Sequence, residues 1–395
     1  MFLTRFLLRV FLALLSFPFF AKGETPYTTV DIFPAGNKHT HSSSIVQCPN
    51  GDLLACWYHG SGERTADDVV VQGARLKKGA KHWGPVFEMA DTPDFPDCNP
   101  ILHIDPEDRL RLFWVSVLAN RWECSLLKVK LAEDFQGQGP PIWSWQDIVP
   151  LKPGPKFAQT MKQRFEEIKL NTSMWAEYAR PYEDLLLKAA LDPFKRQTGW
   201  MPRTKPLNLP NGRILLPLYS DGFNVSLIAI SDDNGDTWRT SQPIIGLGPI
   251  QPSLARRRDG TIIAFCRDSG PPPGRVMTSF SHDNGETWNA AQDTVLPNPG
   301  SSLDVIVLQD GQWLIVYNDS NKSRDNLTVA ISMDEGKTWP LKSRLEPQED
   351  GATSFSYPSV IQSANGTVHI SYTCKGASGS RIRHGILQPT QIKAQ

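Results

Sequence analysis

The chain has 395 residues, in which 41 Lys+Arg balance 41 Asp+Glu to a formal net charge of zero. That balance argues against a nucleic-acid or anionic-lipid partner, since such partners draw on a basic excess. A charged fraction of 21% and a hydrophobic fraction of 40% exclude wholesale disorder. The abundance of turn-formers and large aromatics, 29 Gly, 32 Pro and 12 Trp, points to many short strands joined by tight turns rather than to a helical bundle.

In chain order, Met1–Gly23 reads as a secretory signal peptide. Arg5 and Arg9 supply the positive start, Val10–Phe20 is apolar, and Ala21 to Gly23 offers small residues at cleavage spacing. The apolar run is short of the roughly 20 residues that span a bilayer. The expectation is a secreted or periplasmic protein, residues 24–395, without stable membrane insertion. The six cysteines show no C-x-x-C spacing, so a zinc site is not indicated. Pairing is open in an exported chain, but several sit in apolar runs such as "DLLACWY", where a small buried hydrophobe suffices. Six N-x-S/T sequons occur, at Asn171, Asn224, Asn318, Asn321, Asn326 and Asn365, and matter only where the source glycosylates.

One unit then recurs: an apolar strand, a tight turn, and a second apolar strand. The turns fall at Gly51, Asp108, Gly212, Gly260, Gly311 and Gly366, at spacings of 57, 104, 48, 51 and 55 residues. Ser231–Trp238, Ser281–Trp288 and Ser332–Trp339 share the form S-x-D-x-G-x-T-W. Asp233, Asp283 and Asp334 can accept N–H bonds across such a turn, the glycine takes a conformation other residues resist, and the tryptophan packs into the core. Recurrence in one turn context makes these aspartates structural rather than calcium ligands or catalytic acids. Trp83, Trp143 and Trp145 look like degraded copies in the first two units.

Six such units predict an all-β, six-bladed β-propeller. The doubled spacing between the second and third turns holds a charged, helix-prone insertion at about residues 154–199, expected to form two helices broken near Pro181. It would either roof one face or decorate the rim.

The three S-x-D-x-G-x-T-W boxes on a six-unit β repeat resemble the sialidase (neuraminidase) superfamily with its Asp-box, or BNR, repeats. "RDSGPPPGR", "LPNPGSSLDVIVL" and "YPSVIQ" look like a bacterial sialidase-like branch. The resemblance implies an arginine triad holding a substrate carboxylate, a tyrosine nucleophile aided by a glutamate, and an aspartate acid/base. Arg267 in "IIAFCRD" resembles the second arginine and Arg324 in "NDSNKSRDN" the third. Tyr357 in "SFSYPSV" resembles the nucleophile, and Asp67 or Asp68 in "GERTADD" the acid/base. The pattern departs at two places. His41 or His39 stands at the first arginine, and Gln251, 16 residues before Arg267, stands at the glutamate. A glutamine cannot take a proton, and a tyrosine without a base is a poor nucleophile at neutral pH.

Read from the residues alone, two converging arginines form a carboxylate receptor, because the planar fork matches two oxygens. Surface salt bridging is the other reading of Arg267 and Arg324, a core aromatic that of Tyr357, and a solvated loop that of Asp67 and Asp68. His41 and His39 are open between binding, proton donation and structure. The expectation is an exported exo-glycosidase removing a terminal sialic acid or related acidic sugar, with no metal or organic cofactor. Tyr357 would be nucleophile, Asp67 or Asp68 acid/base, and Arg267, Arg324, His41 and Gln251 would bind substrate. A uronate-polysaccharide lyase and a non-catalytic glycan-binding propeller are the alternatives.

Overall fold

A computed structural model describes residues 27–168, 182–346 and 353–392. The signal-peptide segment and Pro181 lie outside these residues.

Six sheets, each with four strands in sequential antiparallel order apart from one short extra strand, form the blades of a propeller. We number them I to VI by their innermost strands: His39–Gln47, Asp97–Ile104, Met201–Pro202 with Leu207–Asn208, Pro249–Arg256, Asp304–Val307 and Ser354–Gln362. The N-terminal strand Tyr27–Gly36 joins blade VI as its outermost strand, against Gly379–Leu387, so the two ends of the chain close the ring.

Each blade is built as its local sequence dictates. The six hairpin turns between first and second strands all place a residue at positive φ, from 58° at Asp108 to 93° at Gly260. The second strands are mostly apolar, and Leu110–Val117, Ile214–Ser220 and Trp313–Tyr317 are wholly buried. They bury both faces because each blade packs on a neighbour at either side. Asp304 is the buried post near the axis. Its carboxylate accepts from Lys205 Nζ at 2.6 Å, Ser253 Oγ at 2.7 Å and Val360 N at 2.8 Å, tying blades III, IV, V and VI together.

The Asp boxes are self-satisfied turns. Asp233, Asp283 and Asp334 each accept the backbone N–H of the box threonine, at 2.9, 3.0 and 2.8 Å, and its hydroxyl on the other oxygen. The box serine accepts the glycine N–H at 2.7 to 2.9 Å. These bonds hold the aspartates below the usual carboxylate range despite an opposing effect of burial, Asp334 at about 2. The boxes follow third strands, on the face opposite the one where first strands begin.

Between blades II and III lie helices Lys156–Ile168, Tyr182–Leu191 and Pro193–Gln197. Phe157, Met161, Phe165, Leu186 and Ala190 pack into one core with Trp200, Tyr219 and Phe223 of blade III. Arg164 reaches Trp288 O at 2.9 Å, so the first helix leans on the outer part of blade IV. All six cysteines are free thiols, and all but the half-buried Cys124 are buried. No helix among the described residues is long and apolar enough to cross a membrane.

Candidate active site

Four of the inner strands carry the same irregularity. Pairing with the second strand slips by one residue between His41 and Ser44, Cys98 and Ile101, Ile250 and Ser253, and Ser356 and Ser359. Each slip is a β-bulge, and each places one non-glycine residue at positive φ: Ser42 (57°), Asn99 (51°), Gln251 (54°) and Tyr357 (55°). Such a conformation costs about 1–3 kcal/mol and collects at functional sites, where bulges re-aim side chains. In blade III the equivalent break, between Pro202 and Leu207, holds Arg203.

These breaks send side chains from separate blades to one point around Tyr357. Gln251 Nε2 and Arg267 Nη1 each donate to Tyr357 Oη over a long 3.4 Å. The Arg203 guanidinium carbon lies 4.8 Å from the centre of the tyrosine ring and that of Arg324 6.0 Å. The His41 ring stands edge-on, centroid to centroid 4.2 Å. Residues from blades I, III, IV, V and VI thus meet at the mouth of the propeller axis.

The three arginines differ in what holds them. Arg203 is 1% exposed and donates to the carbonyls of Ser43 at 3.3 Å and Pro358 at 2.9 Å. It is a buried cation beneath the tyrosine, and its desolvation works against its charge. Arg324 is half-buried, with Nη2 on Gly300 O at 2.7 Å, and Arg267 is also half-buried. Those two can reach a ligand above the ring; Arg203 faces the ring from a closed position.

His41 is held neutral. Its pKa is driven well below the ordinary value, first by burial and then by His39, Arg324, Arg203 and Arg267. Nδ1 meets Thr373 Oγ1 at 3.1 Å, which fixes the ring. His39 stacks on Tyr58 at 5.6 Å and is also lowered, chiefly by burial. Gln251 Oε1 is buried without a partner among the described residues.

A second group of polar residues faces this one from blades I to III. Tyr58 Oη donates to Glu63 Oε1 at 2.5 Å, and burial, with the Glu63 charge second, pushes Tyr58 well up. Asn99 Nδ2 donates to Tyr219 Oη at 3.0 Å. Asp221 follows the second strand of blade III on the same face. Its side chain is solvent-exposed. Burial raises its pKa first; Glu63 and Glu123 add to this, and Arg267 and Arg64 oppose it.

Of the residues picked from sequence, Tyr357, Arg267, Arg324, His41 and Gln251 come together. Asp67 and Asp68 are exposed on the loop after the second strand of blade I. Asp68 receives Lys38 Nζ at 2.8 Å and Ser61 N and Oγ at 2.8 and 2.6 Å, which lower its pKa strongly. No bond joins either aspartate to Tyr357 among the described residues. From that loop it is Glu63, not chosen from sequence, that couples to His39 and Arg324. Arg203, Asp221 and Glu63 were all missed. Alignment of the six units on their inner strands would have exposed Arg203, because Asn99, Gln251 and Tyr357 share its place and each precedes a proline. Among the described residues, no set of three or more His, Cys, Asp or Glu is grouped to hold a metal.

Six closed blades with Asp-box turns and a polar recess at the axis define a six-bladed β-propeller. Comparison with known proteins agrees. The BNR repeat-like domain family matches residues 194–370. The sialidase of Micromonospora viridifaciens is 28% identical over 151 residues, 36% of this chain and 22% of that protein, so the match spans under a quarter of that relative. Among solved structures, the Hadza microbial sialidase Hz136 superposes with a TM-score of 0.68 at 15% identity, over 92% of this chain and 69% of that one. The intramolecular trans-sialidase of Ruminococcus gnavus, in complex with oseltamivir carboxylate, gives 0.65 at 13%, over 90% and 96%. A Dyadobacter fermentans protein of unknown function gives 0.66 at 16%, over 91% and 97%. The family match covers less than half of the chain, and the fold as a whole is similar to the propellers of these sialidase structures.

Proposed function

We propose that the protein is an exported glycoside hydrolase that removes a terminal sialic acid or a related acidic sugar from glycans. The observation that carries this reading is Tyr357, turned toward the axis by a strained bulge and ringed by Arg203, Arg267 and Arg324. Arg267 and Arg324 would hold the sugar carboxylate, and the electrostatic preference for charge at that point is strongest in a recess screened from water. The sialidase likeness of the relatives supports glycoside cleavage as the class of reaction.

In the first step Tyr357 Oη bonds to the anomeric carbon and its proton passes to the neutral His41 imidazole. The glycosidic oxygen keeps the electron pair of the broken bond and takes a proton from a carboxylic acid. In the second step water replaces the tyrosine, returning a proton to that acid, while His41 returns its proton to Oη. Imidazolium beside three arginines is unfavourable, so transfer to His41 and attack must occur together. Removal of Met1–Gly23 would deliver the enzyme outside the cytoplasm.

A specific observation favours a second reading. Among the described residues no carboxylate bonds Tyr357, and a neutral histidine and a glutamine stand where a charged base would serve. Tyrosine and histidine can manage the protons of a uronate lyase, in which an arginine-held carboxylate acidifies the adjacent C–H. Incubation with sialosides and with uronate-bearing oligosaccharides separates the readings. Hydrolysis releases free acidic sugar with no rise in ultraviolet absorbance, whereas a lyase produces the band of a 4,5-unsaturated uronate. Tyr357→Phe should lower either activity at least about 10³-fold. Retained turnover in that variant would refute a catalytic Tyr357, and binding without turnover in the wild type would favour a lectin-like propeller.

A further inference from the structure

The seam between blades VI and I differs from its neighbours. At three other seams an arginine of one hairpin donates to the backbone of the next blade's Asp box: Arg111 to Asn234 O and Gly235 O, Arg213 to Asn284 O at 3.1 Å, and Arg257 to Glu335 O at 3.4 Å. In blade I the box has lost its polar turn. Leu76, Lys78, Ala80 and His82 stand at its serine, aspartate, glycine and threonine, and only Trp83 is kept. Across the seam, His369 stands three residues past the blade VI turn, as Arg111 does past the turn of blade II. A cavity of about 590 Å³ opens between them, with His369 in its wall.

Behind His369 lies His384, which is fully buried. Its Nε2 is 2.9 Å from His369 Nδ1, the two rings stack at 5.1 Å, and the Trp83 ring meets His384 edge-on at 5.4 Å. His369 Nε2 is 3.2 Å from Ser363 Oγ, whose hydroxyl donates to Asn365 Oδ1 at 2.6 Å. The protons follow from this chain. Ser363 has its one proton on Asn365, so it accepts from His369 Nε2–H, and His369 Nδ1 accepts from His384 Nε2–H. Both nitrogens of His369 are thereby engaged. The one bare lone pair is His384 Nδ1, buried without a partner among the described residues and set beside the apolar seam core of Trp57, Ile382 and Trp83. A proton entering by the cavity therefore finds no free nitrogen. Uptake requires either that the pair break or that a charge form against apolar walls.

We propose that His369 and His384 are an acid-opened latch on the ring, and that proton uptake by the pair releases the strands joining the two ends of the chain. His384 lies on Gly379–Leu387, opposite Val30 of the N-terminal strand, so displacement of its ring bears directly on that pairing. The inference is independent of any reaction at Tyr357. Few other charges face the pair. Cys48, Lys77, Lys78 and Asp108 line the same cavity as His369, and Lys77 is held on Asp52 at 3.0 Å. On the closing strands, Asp31 pairs with Arg381 at 3.6 Å and Arg383 at 3.4 Å, on the face turned away from His384.

Burial pushes His369 down to about 4 and, with His369 beside it, His384 to about 3. Both lie below the model value of 6.5, so the opened strands bind protons that the closed ring does not. The latch is at full strength above about pH 6.5 and weakens as pH falls from there. At pH 5 the opening equilibrium gains about 30-fold for each histidine that the open state frees.

Hydrogen–deuterium exchange of the full chain, corrected for the intrinsic rate, tests this between about pH 7.5 and about pH 5. In the wild type, Tyr27–Gly36 and Gly379–Leu387 should lose protection as pH falls, ahead of the inner strands of blades II to V. His384→Phe, which keeps a ring against Trp83, should remove that dependence. His369→Gln can still accept from His384 and donate to Ser363; it should reduce the dependence by the share of one histidine, and it carries the test if His384→Phe does not fold. The emission lost in Trp83→Phe, taken as a difference from the wild type, should fall over the same pH range as imidazolium quenches the indole. The latch is refuted if both histidine variants keep the wild-type pH dependence, or if the wild type loses protection equally in all six blades.

Discussion

Gln251→Glu is the most informative single substitution, because it sets a carboxylate beside a tyrosine otherwise served by the neutral His41. Gln251 Nε2 lies 3.4 Å from Tyr357 Oη, and Arg267 Nη1 lies 3.4 Å from the same oxygen. A carboxylate in that place would be slightly beyond the 2.6–3.2 Å reach of a general base, a gap that substrate binding commonly closes. Burying it costs several kcal/mol. Against this, attraction to one guanidinium is worth about 4 kcal/mol at 4 Å and an effective dielectric constant of 20. The two nearly cancel, so the variant should fold with a Tm within a few degrees of wild type. Positioned base catalysis contributes about 10²–10⁴-fold, and kcat on a sialoside should rise toward that range. A new acid limb should appear in the pH profile as the carboxylate titrates. The assay is kcat and KM across pH 4–9, beside a calorimetric scan. A folded variant with unchanged or lowered kcat would refute the view that Gln251 occupies the base position for a tyrosine nucleophile.

Other expectations follow from the same geometry. Arg324→Met should raise KM for an acidic sugar more than ten-fold and have far less effect on its methyl ester, since the arginine is assigned to the carboxylate; steady-state kinetics on the pair decides this. Asp334→Asn should destabilise the fold near neutral pH without altering kcat, because the box lies on the opposite face. The sign with pH is fixed by the folded pKa of about 2, below the unfolded value: the aspartate's contribution is full above the unfolded pKa and lost as pH falls through about 2. Denaturation of both proteins across pH 2–6 should therefore show their difference closing toward the acid end. Thiol labelling of the native protein should modify Cys124 first, and the five buried cysteines only after unfolding.

The sequence disclosed the fold more fully than the site, for a physical reason. Turns announce themselves locally. Gly212, Gly260 and Gly366 need positive φ, and Asp233, Asp283 and Asp334 close bonds four residues ahead, so short windows contain the whole interaction. Funnel residues have no such signature. Arg203 meets Tyr357 across 154 positions of sequence, and what brings them together is a slip in strand register, invisible to composition or periodicity. The likeness to sialidases pointed to Tyr357, Arg267 and Arg324 because each lies in or beside a recognisable strand. The same likeness directed attention to Asp67 and Asp68 on a loop, where position along the chain says little about direction. Glu63, four residues before Asp67, faces the funnel, while Asp68 is drawn outward to Lys38. Asp221 lay in an ordinary-looking "SDG" turn that only its neighbours distinguish.

The zero net charge conceals a division within the recess. Arg203, Arg267 and Arg324 reach Tyr357 from blades III, IV and V. Glu63, Glu123 and Asp221 belong to blades I, II and III, and the first two act on Asp221. A field running from the first set to the second would orient a ligand carrying one carboxylate, drawing its anionic end toward the arginines and leaving its neutral end toward the carboxyls. The same field sets the protonation of the walls. Burial, with Glu63 and Glu123 adding to it, raises Asp221, while each arginine on the other side helps to keep His41 neutral. On the proposed hydrolase reading, this charge separation would fix which end of the sugar enters. The strain stored at Gln251 and Tyr357 is intelligible on the same terms, since a regular strand would leave both side chains aimed at neighbouring blades instead of at the axis.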